Sequence, residues 1–345
     1  MKKTIRRTLL SILLLGVGIG ASIATDYYLK FIKPDVRQES IFYIYPNQDY
    51  AALLDSLEKA EIFLHPNRFV RAANQRGLEQ YIKVGRYKIT PEMSNQEIIR
   101  TFANSWQTPQ RITFKGYIKT LDRLAAYFGN NFAADSAAFM AVLSDANLQK
   151  ELGMKPETMI SLFLPNTYEM YWTTSPKDVV QRFKREYDAF WNEERQAKAK
   201  KLGLSQTQVI TLASIIVQET NYVPEQPAMA AVYLNRLKKG MKLQACPTVI
   251  YALKDVEPGI RRVLNRHLKY DSPYNTYKYA GLPPGPITIP TLAAIDAVLN
   301  RDSSQYLYFC ANSNFDGTHK FTASYQEHLK NGRAYQKALK ARESK

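Results

Sequence analysis

Histidine and cysteine are scarce in this 345-residue chain, which holds four of the first (His65, His267, His319, His328) and two of the second (Cys246, Cys310). None falls at a metal-ligand spacing, so no metal and no cofactor is expected. Two thiols do not make a disulfide framework, and the sequence leaves open whether they pair. Acids are also short: 31 Asp and Glu face 47 Lys and Arg, a net charge of +16. That surplus suits an anionic partner. Zinc-finger, RNA-recognition and helix-turn-helix patterns are missing, which argues against nucleic acid. There is no low-complexity tract, and an apolar content of 45% supports real cores in two or three small domains.

The longest uncharged run, TLLSILLLGVGIGASIAT at 8–25, follows a basic tail at 1–7 that contains Lys2, Lys3, Arg6 and Arg7. About 18 apolar residues suffice for a membrane helix. Positive charge before the span predicts a cytoplasmic N-terminus, with the rest of the chain outside the cytoplasm. A cleaved signal peptide, with Ser22-Ile23-Ala24 as its cleavage site, is the rival. The uncleaved single-pass anchor in the inner membrane is favoured.

The exported part reads as α+β. Strands are expected at 41–44 and 81–89, and helices at 51–60, at 66–75 and from Ser94, where Glu97 completes a capping box. These elements make a small module at 40–104. A connecting α+β region follows at 105–204, with a strand from Arg111 and helices at 121–128 and 136–143. One long amphipathic helix is expected over Ser175–Lys201, with Gly203 beyond its end. A C-terminal mixed α/β domain at 205–340 completes the chain.

That last domain opens on SQTQVITLASIIVQETN at 205–221. Ser205 is a candidate N-cap with Gln208 as its capping-box partner. Val209, Leu212, Ile216 and Glu219 follow on one helical face, so a carboxylate ends an apolar stripe. A core-facing acid must be paired or protonated. The residues leave two readings open: a buried ion pair, or a catalytic carboxyl of raised pKa.

Beyond Pro224 and Pro227, a second apolar helix is expected over 228–236. Polar and aromatic segments at 243–251 and 271–277 lead into a stiff Gly- and Pro-rich loop at 281–287. Gln244, Asn275, Thr276 and Tyr277 carry the amides, hydroxyls and rings that sugar recognition uses, and ordinary loop chemistry uses the same groups. YLYFC at 306–310 reads as a core strand.

In this order, LASIIVQET (212–220), YLNRL (233–237), LQACPTVIY (243–251), SPYNTY (272–277), GLPPGPI (281–287), YLYF (306–309) and HKF (319–321) with the later His328 resemble the membrane-anchored endolytic murein transglycosylases, the MltG or YceG-like group. FLPNTY at 163–168 is similar to that family's FPDTY segment, and the 40–104 module to its LysM-like subdomain. Two positions depart from the family. Cys246 stands where Asp is frequent. Val217 stands where a further Glu is frequent, which leaves Glu219 as the helix's sole carboxylate.

The resemblance implies non-hydrolytic cleavage of the β-1,4 bond between N-acetylmuramic acid and N-acetylglucosamine in peptidoglycan, leaving a 1,6-anhydro end. It makes Glu219 the acid and then the base, and it places Gln244, Thr248, Tyr251, Asn275 and Tyr277 along the substrate groove. It further implies glycan strands as substrate, peptidoglycan synthases (penicillin-binding proteins) as partners, and a role in terminating nascent strands. Two rivals remain. One is a hydrolase pairing Glu219 with Asp271 or Glu225, since glycosidases usually use two carboxyls. The other is a wall-binding protein without catalysis.

Overall fold

The computed structural model describes residues 2–260 and 262–343. Met1, the first residue of the expected basic tail, lies outside them. The chain opens with α1 (Lys2–Tyr27), which runs into a π-helical turn at Tyr28–Ile32. Lys3–Ile32 is long and apolar enough to cross a membrane.

Two compact units follow from the contacts. The first takes residues up to Arg111 together with Asn131–Ala133 and Glu169–Thr174, and the second takes the remainder. Residues 105–204 are divided between these two units.

The first unit is built from β1 (Ser40–Ile44), α2 (Tyr50–Lys59), α3 (Pro66–Gln75), β2 (Gly85–Ile89) and α4 (Asn95–Ala103). β1 and β2 are antiparallel, with Phe42 opposite Tyr87 and Ile44 opposite Gly85. The strand expected over 81–89 is confined to its last five residues, because a 3-10 turn at Leu78–Gln80 precedes it. Phe42, Ile44, Leu53, Phe69, Tyr87, Ile98 and Phe102 form the core, and Tyr87 meets Phe102 edge-on at 5.0 Å between centroids. The capping box opening α4 is present: Ser94 Oγ accepts from the Glu97 amide at 3.3 Å, and Glu97 Oε2 from the Ser94 amide at 2.7 Å.

Next come β3 (Gln110–Phe114), α5 (Leu121–Gly129), α6 (Ser136–Leu143), α7 (Ala146–Glu151) and β4 (Asn166–Met170), with β3 pairing β4. The long helix expected over Ser175–Lys201 is two helices, α8 (Pro176–Phe190) and α9 (Glu193–Leu202). Trp191 leaves helical geometry at ψ 59°, and the Asn192 side chain accepts from the Arg195 amide at 3.0 Å. An asparagine that can cap a new helix competes with continuation of the old one.

The centre of the second unit is α10 (Gln206–Glu219), packed against α11 (Gln226–Lys238), α12 (Cys246–Ala252) and α13 (Leu292–Leu299). The Ser205–Gln208 capping box opens it, with bonds of 3.2 and 2.9 Å. Every residue from Val209 to Val217 is buried. At mid-helix, Ser214 Oγ donates to the Thr211 carbonyl at 2.7 Å and accepts from the Ile287 amide at 3.0 Å. The Gly- and Pro-rich loop is thereby tied to α10. Within that loop, a Cβ on Gly285 would collide with the Glu157 carbonyl.

Within the 243–251 segment, Pro247 sits in the first turn of α12, where its missing N–H costs nothing. The strand expected at 306–310 is not a core strand. It is β5 (Tyr308–Ala311), half-buried and paired antiparallel with β6 (His319–Thr322). Finally, α14 (Tyr325–Glu343) continues well past His328.

Candidate active site

Glu219 is the last residue of α10, and Thr220 turns away in extended geometry. The carboxyl therefore stands at the rim of the core, crowded by protein but partly open to solvent. Its Oε1 accepts from the Tyr233 hydroxyl at 3.1 Å, and the Tyr233 ring is buried in α11. Burial pushes the Glu219 carboxyl up from the usual value to about 7, while the Tyr233 bond pulls the other way. The partial negative charge at the C-terminal end of α10 acts in the same direction as burial. No lysine or arginine forms an ion pair with Glu219 among the described residues. The ion-pair reading left open by the sequence thus has no partner here.

Cys246 and Tyr277 complete the cluster, with Sγ and Oη 3.1 Å apart. Burial raises the Cys246 thiol; the Tyr277 bond lowers it and the Glu219 charge raises it. Burial, the Cys246 thiol and the Glu219 charge raise the Tyr277 phenol. Burial, followed by Glu219, raises the Tyr233 phenol. All three groups stay protonated at neutral pH, and of them the Tyr233 hydroxyl donates to the acid. Cys246 and Cys310 are both free thiols.

Arg236, also on α11, is buried close by, but its guanidinium is held by backbone. Nε donates to the Leu307 carbonyl at 2.7 Å and Nη1 to the Leu243 carbonyl at 2.9 Å. It lies over the Tyr308 ring at 5.3 Å. The arginine thus fastens the segment after α11 to the start of β5.

The structure sorts the other sequence candidates into two groups. Gln244 and Tyr251 keep exposed surface. Gln244 sits in left-handed backbone at φ 53°, and Tyr251 packs against Tyr274 at 4.7 Å. Thr248 and Asn275, in contrast, are wholly buried. Thr248 Oγ1 donates to the Ala245 carbonyl at 2.7 Å and shares a 2.8 Å bond with Thr276 Oγ1. Asn275 Nδ2 donates to the Leu268 and Tyr270 carbonyls at 3.0 and 2.8 Å, and its Oδ1 accepts from the Tyr277 amide at 3.0 Å. The polar atoms of both residues are used within the protein, and Asn275 sets the backbone of Tyr277.

Glu225 and Asp271, the second acids of a hydrolase reading, are engaged elsewhere. Glu225 accepts from the His319 amide at 2.6 Å and meets His319 Nδ1 at 3.0 Å. Asp271 pairs with Lys278 at 2.8 Å and accepts from Tyr279, bonds that hold its carboxyl below the usual range.

Sequence reasoning missed Tyr233 as the partner of Glu219. Its segment, YLNRL, stood out, but a contact across the turn between two helices leaves no spacing signal.

Known proteins resemble this chain. An endolytic murein transglycosylase of Bacillus subtilis is 39% identical over 157 residues, covering 46% of this chain and 42% of that protein. One of Streptococcus pneumoniae is 24% identical over 286 residues, covering 74% of this chain and 51% of its own length. The chain thus spans about half the length of these curated relatives. A crystal structure of a yceG-like protein from Listeria monocytogenes superposes with a TM-score of 0.54 at 25% identity, covering 85% of this chain and 99% of that one. Residues 42–334 match the YceG-like family throughout, α10 and the Glu219 cluster included, and the chain belongs to that family.

Proposed function

We propose that this chain is a peptidoglycan lytic transglycosylase in which Glu219 is both acid and base. The observation that carries this reading is the Glu219 carboxyl, raised to about 7 and bonded to a buried tyrosine rather than a cation. A group that titrates near neutrality is suited to giving a proton and then taking one.

Protonated Glu219 gives its hydrogen to the glycosidic oxygen as the bond to C1 of the muramic sugar breaks. The carboxylate left behind, held by the Tyr233 hydroxyl, takes the proton of that sugar's C6 hydroxyl. O6 closes on C1, which yields the 1,6-anhydro ring. No water is consumed, and Glu219 ends protonated again. One carboxyl suffices, which suits a site where Glu225 and Asp271 are tied to other partners. Tyr277 and Gln244, both near α12, are assigned to the groove with Tyr251.

The same reading takes Lys3–Ile32 as a single-pass anchor with its N-terminus in the cytoplasm, so that the second unit acts on strands outside. It takes residues 40–104 as a LysM-like wall-binding module, supported by the β1–α2–α3–β2 order. Cleavage close to the membrane would end strands as synthases extend them.

Digestion of purified peptidoglycan by wild type and Glu219→Gln, read by mass spectrometry, tests the proposal. Anhydro-muramic ends should appear with wild type and drop by at least a hundredfold with the variant. Reducing muramic ends would indicate hydrolysis, and equal rates for the two proteins would sink the mechanism.

A further inference from the structure

A second site lies beside α12. A cavity of about 460 Å³ is lined by Tyr117, Thr120, Asp122, Arg123, Tyr251 and Lys254, among others. We propose that it is a remote saccharide subsite that holds a further stretch of the glycan strand. This rests on the reading that the chain acts on such strands.

Two aromatic rings face the cavity. Tyr251 is backed by Tyr274 at 4.7 Å, and Lys254 Nζ lies 5.3 Å from its ring centroid. Tyr117 is 47% exposed although its backbone is left-handed at φ 61°. Left-handed geometry disfavours a bulky residue, so a glycine would be the ordinary choice there. The preceding Gly116 is also left-handed, at φ 81°, and packs on Pro165 and Ile289. The segment is pinned in this shape: the Tyr117 amide donates to the Ile289 carbonyl, and the Ile289 amide to the Ile118 carbonyl, both at 2.9 Å. A strained, exposed ring at the mouth of a cavity has no packing role to account for it, whereas sugar faces stack on such rings.

The polar groups suit hydroxyls better than a net charge. Lys119, Arg123 and Lys254 are matched by Asp122, Asp255 and Glu257 around the same cavity. Lys254 is paired with Asp255, and Glu257 with Arg266. Lys119, Asp122 and Arg123 have no ion pair among the described residues. Thr120 stands at the N-cap of α5 without making a capping bond, and its buried hydroxyl has no partner. Free donors and acceptors of both signs, between two rings, fit an uncharged polyhydroxylated ligand. A polyanion would meet as many acids as bases.

The placement connects this cavity to the acid. α12 starts at Cys246, which touches Tyr277 and feels the Glu219 charge. Tyr251 lies five residues further on, about 7.5 Å along the helix axis. A strand laid along α12 with its scissile bond at Glu219 would reach the cavity within a short run of sugars.

The test uses the full chain and glycan strands freed of stem peptides, fractionated into short and long. Wild type is expected to show a KM that falls several-fold with strand length. Tyr117→Gly should lose that gain, raising KM on long strands about tenfold toward the short-strand value with kcat within about twofold. Glycine accepts φ 61° without strain, so this variant should melt no lower than wild type, which separates a lost ring from a lost fold. Tyr117→Phe keeps the ring and should keep the gain. Wild-type KM on long strands in Tyr117→Gly would overturn the subsite, as would an equal rise in KM on short strands. Should wild type leave no anhydro ends, the proposed activity fails and the subsite is decided by binding alone. Tighter binding of long than of short strands by Glu219→Gln, lost on adding Tyr117→Gly, supports the subsite; length-independent binding overturns it.

Discussion

The Tyr233 hydroxyl donates to Glu219 Oε1 across 3.1 Å, joining the last residue of one buried helix to the middle of the next. This bond stabilises the charged form of an acid that burial otherwise holds neutral. Activity on free substrate should therefore fall as pH rises through about 7, where Glu219 loses its proton. Tyr233→Phe removes the opposing bond, so the alkaline limb of kcat/KM should move to higher pH. A pH–rate profile of the variant that matches wild type would mean that Tyr233 does not tune the acid.

Glu219 also links pH to stability. Its folded pKa lies above its unfolded one, so the fold is favoured most below the unfolded value near 4.5, and that advantage is lost as pH rises through about 7. Above pH 7 the ionised carboxylate costs on the order of 3 kcal/mol. Glu219→Gln should accordingly raise the melting temperature at pH 8 and leave it nearly unchanged at pH 4. Equal shifts at both pH values would contradict a raised pKa.

Asn275→Ala separates scaffold from groove. Removing an amide that makes three internal bonds should cost about 1–3 kcal/mol, and the misplaced Tyr277 should lower kcat. A sugar contact would behave differently, raising KM with no change in melting temperature. Calorimetry and initial rates on the same preparation distinguish the two.

Gly285→Ala tests the loop tied to α10. The added methyl collides with the Glu157 carbonyl, which is backbone and cannot rotate away. A loss of about 2 kcal/mol or more is expected in chemical denaturation. The neighbouring Gly281, with open space around its Cβ direction, offers no such collision, although its φ of 90° strains any replacement.

Periodicity and capping chemistry made α10 readable, because the Ser205–Gln208 box and a run of apolar residues point to the same buried helix. They also placed Glu219 at its end. Side-chain chemistry could not assign Thr248 or Asn275, since the amides and hydroxyls that suit a sugar equally suit a buried turn. α12 was hidden because it is short and starts with Cys246 and Pro247, neither of which signals a helix. The break at Trp191 was hidden for the opposite reason: Asn192 interrupts a sequence of good helix formers, and only its capping bond to Arg195 shows that the chain restarts. Tyr233 depended on how α11 returns against α10, and a local pattern does not contain that information.

Nine consecutive buried residues, from Val209 to Val217, deliver Glu219 to its place. In an extended chain the same glutamate would regain an ordinary carboxylate pKa and hold no proton at neutral pH. Loss of the fold disarms the acid at once. A protease that opens this unit, or heat that melts it, leaves a glutamate with no proton to give at neutral pH.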